Sequence, residues 1–319
     1  MIYLYAPGQR GLDSLPPGTD VRQAAWIDLY CPTEDQIAEV EALGIKLPTL
    51  ADMEEIEISN RLYREAGADY MVVVLSGLSP EKQPVTAPVA MILTATQLVT
   101  VRHHSPRPFE TFPARADKSS AGCRGAGPLF LGLVEEILGR QADHLEAVGR
   151  ELDVTARRVF GPSAAKRLDV LEQTLTTIGA QGEVLSRVRL GLLTMERAMA
   201  YYLQSLDERP EGKQLRTHVK ARLGDLQALE VHGDFLSSRL SFAADATLGM
   251  VNLAQNVTSR ILSVVAVLFL PPTLIASVFG MNFARIPTLD AQWGFGLSLV
   301  LMVGSAALTY AVFRWRRWL

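Results

Sequence analysis

Residues 261–279 read ILSVVAVLFLPPTLIASVF, and residues 294–313 read GFGLSLVLMVGSAALTYAVF. Neither stretch contains Asp, Glu, Lys or Arg. Because an α-helix rises about 1.5 Å per residue, each stretch is long enough to cross the roughly 30 Å apolar core of a bilayer. The sequence therefore predicts two membrane-spanning helices in the C-terminal part of the chain. The alternative is a hairpin of helices buried in a soluble core.

Basic residues flank these two stretches on the same side. Arg260 precedes the first span, and three arginines follow the second: Arg314, Arg316 and Arg317. The segment between the spans, residues 283–293, carries only one arginine and one aspartate. By the positive-inside rule, we expect the protein to lie in the inner membrane with both termini in the cytoplasm. The connecting segment would face outside.

Composition and charge exclude several classes of protein. The chain has 319 residues, of which 48% are hydrophobic, so it is not disordered. Residues 1–260 hold 27 basic and 33 acidic side chains, and the remainder holds four and one. Without a basic excess, no nucleic-acid partner is expected. Two cysteines fit a reducing compartment rather than a disulfide scaffold. No CxxC, HExxH or Walker motif occurs, and we expect no enzyme.

Residues 1–125 are expected to form an α/β cytoplasmic domain. Runs of Val, Ile and Leu between turn residues predict strands at 25–29, 69–78, 88–94 and 97–103. Thr33 with Gln36 forms a capping box for one helix, and Thr49 caps a second helix through Glu57. Residues 119–127 are expected to form a loop. The His103-His104 pair at a strand end is interpreted as surface or packing, since no metal-ligand spacing accompanies it.

Helical periodicity dominates from residue 128 onward. The predicted helices are 128–160, 163–205 and a very long one from 212 to 281 that enters the membrane. The domain organisation expected from these patterns is an N-terminal α/β domain (1–125), a helical stalk (126–260), a first transmembrane helix (261–281), an outer loop (282–293), a second transmembrane helix (294–313) and a basic tail (314–319).

The first span differs from a plain anchor. Pro271 and Pro272 lie in its middle and leave backbone carbonyls of the preceding turn without donors. Small and polar residues recur every three or four positions on one face: Asn256, Ser259, Leu262, Ala266, Leu270, Thr273 and Ser277. One interpretation is a face for close helix–helix packing. The other is the lining of a pore, which two spans cannot enclose and which therefore needs several copies of the chain.

This stripe contains no carboxylate. A bare divalent cation would need hard oxygen ligands, which are usually carboxylates. A hydrated cation can pass neutral oxygens that accept hydrogen bonds from its water shell. Because Mg²⁺ gives up water reluctantly, it suits such a path.

Gly280-Met281-Asn282 directly follows the first span. In this position the tripeptide resembles the mark of the CorA family of divalent-cation transporters, and the resemblance extends over most of the chain, including residues 26–36 and 52–63. It implies a funnel-shaped homopentamer in the membrane lipid that carries Mg²⁺, with Co²⁺ and Ni²⁺ as further ions. The roles that it implies are a selectivity filter at Gly280, Met281 and Asn282, apolar gate rings at Leu262 and Leu270, and polar rings at Thr273 and Asn256. Asn282 would hold Mg²⁺ through the ion's bound water.

The outer loop departs from the family. Where members commonly carry Met-Pro-Glu-Leu, this chain has Ile286-Pro287-Thr288-Leu289. The missing glutamate weakens the attraction of cations to the mouth. Two alternatives therefore stay open: a zinc transporter similar to the related ZntB proteins, and a membrane-anchored scaffold or signalling protein without ion flux.

Members of the family are gated by cytosolic Mg²⁺ bound between subunits. The carboxylates of this chain cluster at Glu34-Asp35, at 52–57, at Glu135-Glu136 and at Asp225. Most such clusters are solvated helix faces or helix N-terminal charges. If the regulation carries over, Asp225 on the long helix is the candidate regulatory ligand for Mg²⁺, with a partner among the acids of the N-terminal domain. No catalytic cofactor is expected.

Overall fold

The computed structural model describes residues 1–8, 11–55, 57, 61–161, 168–208, 212–281 and 293–316. The chain divides into two compact units. The first comprises residues 1–157 and 175–244, and the second comprises residues 158–174 and 245–319.

The first unit contains a mixed β-sheet. Its seven described strands are β1 (Ile2–Pro7), β2 (Leu12–Ser14), β3 (Trp26–Tyr30), β4 (Leu62–Glu65), β5 (Ala68–Leu78), β6 (Pro84–Leu93) and β7 (Leu98–Arg102). They lie in the order β2-β1-β3-β7-β6-β5-β4. All neighbours are antiparallel except β3 and β7, which run parallel in the middle of the sheet. The strands β5 and β6 form a long hairpin that pairs Leu78 with Pro84 at its end.

Both faces of this sheet are covered, which explains its unbroken apolar runs. In β5, Met71, Val73 and Leu75 belong to one core cluster, whereas Tyr70 and Val72 belong to the other. Alternate side chains of a strand point to opposite faces, so both sets are buried.

Two short helices contribute to the cluster on one face. Helix α1 (Glu34–Glu41) begins after Thr33, whose backbone N–H donates to the Gln36 side chain at 3.2 Å. Helix α2 (Leu50–Glu54) begins after Thr49, which exchanges hydrogen bonds with Asp52. Both N-caps agree with the sequence prediction. The second helix ends at Glu54 rather than at Glu57, because Glu55 already has extended backbone torsions.

Three long helices contribute to the cluster on the other face. They are α4 (Ala126–Val159), α5 (Leu168–Ser205) and the first part of α6 (Gly212–Phe279), preceded along the chain by the short α3 (Pro108–Thr111). Leu133, Leu192 and Leu226 from the three long helices are each fully buried. The predicted loop at 119–127 is real up to residue 125, and α4 begins two residues earlier than the sequence pattern indicated.

The C-terminal part of α6 and helix α7 (Gly294–Trp315) belong to the second unit. Helix α6 contains Pro271 and Pro272 and ends at Phe279, two residues before the predicted end. Both helices are long and apolar enough to cross a membrane. In the most apolar window of α6 no residue is buried, and in α7 only 6% are. A hairpin buried in a soluble core would show the reverse, so the structure disfavours that alternative.

Candidate functional site

The predicted stripe on α6 is exposed along its whole length. Leu262 is 66% exposed and Leu270 is 68% exposed, and five further stripe residues share this state: Asn256, Ser259, Ala266, Thr273 and Ser277. The partly covered residues of the same span form a second row: Val264, Leu268, Pro271, Pro272, Ile275 and Phe279. At roughly 100° per residue, the two rows lie about 180° apart around the helix. The stripe therefore faces away from the side of the helix that the chain itself covers.

The proline pair weakens the helix in the middle of the span. Pro271 and Pro272 have no N–H, so the carbonyls of Val267 and Leu268 lose their usual helical donors. The Thr273 hydroxyl donates to the carbonyl of Phe269 one turn back. In a membrane, freed carbonyls need water or protein donors. The freed carbonyls lie nearer to the partly covered row than to the stripe, because Leu268 and Pro271 themselves belong to that row.

The tripeptide at the end of the span closes the helix. The backbone N–H groups of Gly280 and Met281 donate to the carbonyls of Ala276 and Val278, at 2.9 and 3.3 Å. Met281 is 47% exposed. Asn282, the third member of the predicted filter, lies outside the described residues, as does most of the predicted outer loop.

Asp225 lies in a small charged cluster. Its Oδ2 atom lies 3.3 Å from Nε of Arg222, one turn earlier on α6. The Nη1 atom of Arg222 lies 3.1 Å from Oε1 of Glu135 on α4. The other oxygen of Glu135 accepts a hydrogen bond from the backbone N–H of Ser120 at 3.1 Å. The structure therefore brings two of the predicted acidic groups together around one guanidinium.

The other acidic clusters have structural roles. Glu34 and Asp35 occupy the first turn of α1, where their negative charges interact favourably with the helix dipole. The Asp52 side chain accepts hydrogen bonds from Thr49, and these bonds lower the pKa of that carboxyl. Glu136 binds Thr111 and Arg115. Within the described ranges, no group of three or more His, Cys, Asp or Glu could hold a metal ion.

The histidine pair agrees with the packing interpretation. His104 is 1% exposed, and its Nε2 atom lies 2.9 Å from the carbonyl oxygen of Leu75. The buried ion pair between Arg102 and Asp28, next to His104, was not predicted from the sequence. Both residues lie on strands, and only the pairing of β3 with β7 brings them into contact.

The model of the CorA-like Mg²⁺ transporter protein family matches residues 22–317. The chain belongs to this family. The magnesium transport protein CorA of Pasteurella multocida is 30% identical over 301 residues, which cover 94% of this chain and 93% of that protein. The resemblance noted in the sequence is thereby confirmed.

Two solved structures share the fold. The complete CorA magnesium transporter of Methanocaldococcus jannaschii has a TM-score of 0.67 at 18% identity and covers 98% of this chain and 97% of its own. The ZntB cytoplasmic domain of Vibrio parahaemolyticus has a TM-score of 0.56 at 10% identity, over 77% of this chain and 96% of its own. The predicted architecture is confirmed: an α/β domain, a long helix and two C-terminal apolar helices. For a CorA-type protein, the two apolar helices are the transmembrane helices of an ion-transport protein.

Proposed function

We propose that this chain forms a passive channel for hydrated divalent cations, chiefly Mg²⁺ and with Co²⁺ and Ni²⁺ as further ions. The observation that carries the proposal is the exposed stripe from Asn256 to Ser277, which faces away from the partly covered side of α6. A face of polar and small groups costs free energy in contact with lipid. It is favourable when copies of the helix surround a water-filled axis.

A second exposed surface supports assembly of several copies. Val231, Phe235 and Phe242 on α6 are 70%, 54% and 64% exposed. Their spacing of four and seven places them on one helical face. Large apolar side chains in such a row favour burial against another protein surface. We propose a closed ring of identical subunits in the shape of a funnel, and the resemblance to the family supports five subunits.

The chemistry of the stripe favours a hydrated ion. None of its side chains is charged, so it cannot replace the water shell of Mg²⁺ with carboxylate ligands. The Thr273 and Ser277 hydroxyls can accept hydrogen bonds from that shell. Leu262 and Leu270 form apolar rings that close by dewetting. Gly280, Met281 and Asn282 form the selectivity filter at the outer end, where the Asn282 amide oxygens hold the ion through its water.

Direction and driving force follow from orientation. With both termini in the cytoplasm of an inner membrane, the filter faces outside and the acidic body faces the cytosol. The membrane potential drives uptake with about 2.3 kcal/mol per charge per 100 mV. Cytosolic Mg²⁺ bound between subunits, with Asp225 as one ligand, would favour the closed ring by a shift of populations.

A flux assay in proteoliposomes tests this function. The purified chain is reconstituted, and uptake is followed with an internal Mg²⁺-sensitive dye under an imposed inside-negative potential. We expect uptake that rises with the potential and is lost in Asn282→Ala. The matched control is Gln292→Ala, which removes an amide from the other end of the same segment and is expected to conduct. Uptake at the wild-type rate in Asn282→Ala would contradict the assignment of Gly280, Met281 and Asn282 as the selectivity filter.

Competition among metal ions separates the alternatives. The outer segment lacks the glutamate typical of the family, so uptake of Zn²⁺ is measured in the same assay. Inhibition of Mg²⁺ uptake by Co²⁺ and Ni²⁺ supports the proposal. Uptake of Zn²⁺ without uptake of Mg²⁺ would replace it with a ZntB-like function. No flux of any ion, together with stability unaffected by changes at Leu262 and Thr273, would indicate a membrane-anchored scaffold.

A further inference from the structure

The first compact unit contains a cavity of about 580 Å³, and its lining shares no residue with the stripe, the filter or the Asp225 cluster. Its walls come from the end of the β5–β6 hairpin, from α3 and the segment before it, and from α4 and α5. Three arginines line it, Arg107, Arg140 and Arg187, and we name it the arginine pocket after them. Its volume lies in the range of small-molecule sites.

The charge of the arginine pocket is opposite to that of the protein around it. Residues 1–260 carry more acidic than basic side chains, yet the lining holds three guanidiniums and one carboxylate, that of Glu110. The Oε1 atom of Glu110 already accepts a hydrogen bond from the Ser105 hydroxyl at 2.7 Å. A concave surface with this excess of positive charge concentrates anions.

The three guanidiniums are available to a ligand. Arg107 forms no ion pair with any residue in the described part of the chain. Arg140 and Arg187 have partners one helical turn away, Asp143 at 3.6 Å and Glu183 at 2.9 Å. These two carboxylates are 66% and 63% exposed, and surface pairs of this kind contribute little free energy. An anion bound between the arginines can therefore compete for the same donors.

The floor of the arginine pocket is fixed by backbone contacts. Leu78 and Ser105 exchange two backbone hydrogen bonds, at 3.1 and 2.8 Å. At Gly77, a Cβ atom would lie 2.6 Å from the carbonyl oxygen of Ser105, so only glycine permits this approach. The hairpin end and the segment before α3 are thus held together without a ligand, and binding need not order them.

The remaining walls are apolar, with one imidazole. Leu78, Val85, Val184 and Val188 provide the apolar surface. Burial, assisted by the positive charge of Arg140 and opposed by Asp143, lowers the pKa of His144. A neutral imidazole can donate or accept one hydrogen bond without adding charge. The lining therefore suits a molecule that carries both an oxyanion and an apolar group.

We propose that the arginine pocket binds a small organic phosphate of the nucleotide class. Guanidinium groups pair with phosphate oxygens through two parallel hydrogen bonds, which favours phosphate as the anionic end. The cavity is much larger than inorganic phosphate requires, and its apolar walls match a base or a similar ring. This site is independent of ion conduction, so it stands or falls separately from the proposed transport function.

Calorimetric titration of the full chain in detergent micelles tests the proposal. The probes are AMP, adenosine and inorganic phosphate. We expect AMP to bind about tenfold or more tightly than either of the other two, because only AMP supplies both ends of the ligand. Arg107→Gln is expected to weaken AMP binding about tenfold, through loss of a charge-assisted contact. Arg187→Gln should act in the same direction.

The control is Arg150→Gln, which removes an exposed arginine of α4 that pairs with Glu146 outside the pocket. It should leave AMP binding unchanged. Equal affinities for AMP and adenosine would overturn the proposal, as would equal effects of Arg107→Gln and Arg150→Gln. Absence of AMP binding at about 1 mM would do the same. Elution of each variant at the wild-type volume in size-exclusion chromatography separates lost binding from lost folding.

Discussion

Arg102 and Asp28 form a buried ion pair across the parallel strands β3 and β7, with the Nη2 atom 2.8 Å from Oδ2. Nε of Arg102 also donates to both carboxylate oxygens at 3.1 Å. The Thr100 hydroxyl donates to Asp28 Oδ1, and the Trp26 indole N–H donates to that hydroxyl. The two charges are thus fully bonded inside the sheet, where an unpaired charge costs several kcal/mol.

Asp28→Asn should destabilise the N-terminal α/β domain strongly. The change leaves the guanidinium of Arg102 buried with a neutral partner, and loss of one partner of such a pair costs about 3–5 kcal/mol. The measurement is chemical denaturation of the full chain in detergent, followed by tryptophan fluorescence, since Trp26 belongs to the same network.

Glu146→Gln is the matched control for this ion pair. Glu146 pairs with Arg150 on the surface of α4, and both side chains are about 70% exposed. Its loss should change the free energy of unfolding by less than about 1 kcal/mol. Similar losses in the free energy of unfolding in both variants would show that burial does not determine how much the Arg102–Asp28 pair contributes to stability.

His104 should make stability depend on pH. Burial, assisted by the charge of Arg102 and opposed by the hydrogen bond to Leu75, lowers the pKa of His104 to about 4. In the unfolded chain this histidine has an ordinary pKa near about 6.5. Between about pH 4 and pH 6.5 the unfolded chain therefore binds a proton that the folded chain does not. Stability is therefore full above about pH 6.5 and decreases by about 3 kcal/mol as pH falls toward 4.

The measurement is the denaturation midpoint of wild type and His104→Gln from pH 7.5 to 4.5. The glutamine amide can still donate to the Leu75 carbonyl but does not titrate in this range. We expect a flatter pH dependence in the variant, whatever its stability at pH 7.5. An unchanged slope would assign the pH dependence to other groups.

The sequence predicted strands β3, β5, β6 and β7 and missed β1, β2 and β4. Strands β5, β6 and β7 are apolar runs between turn residues, and they lie within a few residues of the predicted bounds. The edge strand β4, Leu62–Glu65, carries two charges and is partly exposed, so its composition resembles a loop. Strand β2 has three residues, and only its pairing with β1 defines it.

For the candidate sites, contacts within one element can be predicted from the sequence, and contacts between elements cannot. The stripe on α6 follows from helical spacing alone, because all its members lie on one element. Arg222 lies three residues before Asp225, and this ion pair could have been inferred from spacing. The contact of Arg222 with Glu135 depends on how α4 packs against α6, and no local pattern encodes it. The arginine pocket likewise collects residues from several elements.

Asp225→Ala tests the proposed regulation. If Asp225 contributes to a Mg²⁺ site between subunits, its removal should shift half-inhibition of uptake to internal Mg²⁺ concentrations about tenfold higher. The assay is uptake into proteoliposomes preloaded with increasing Mg²⁺. Asp234→Ala is the control, because Asp234 is an exposed aspartate of the same helix that pairs with Arg189. Equal inhibition curves for wild type and Asp225→Ala would remove Asp225 from the regulatory site.

Leu270→Ser tests the gate. Leu270 is 68% exposed on the proposed pore face, where a ring of leucines would exclude water from the closed channel. A ring of hydroxyls should hold water and raise Mg²⁺ leak at high internal Mg²⁺ about tenfold. The control is Leu268→Ser, which places the same hydroxyl on the partly covered opposite face and should leave the leak unchanged. Because both variants add one serine to the same turn, general loosening of the helix would raise the leak in both. Only a rise confined to Leu270→Ser fits a gate formed by this face, and an unchanged leak in both variants would indicate that the stripe packs against protein instead.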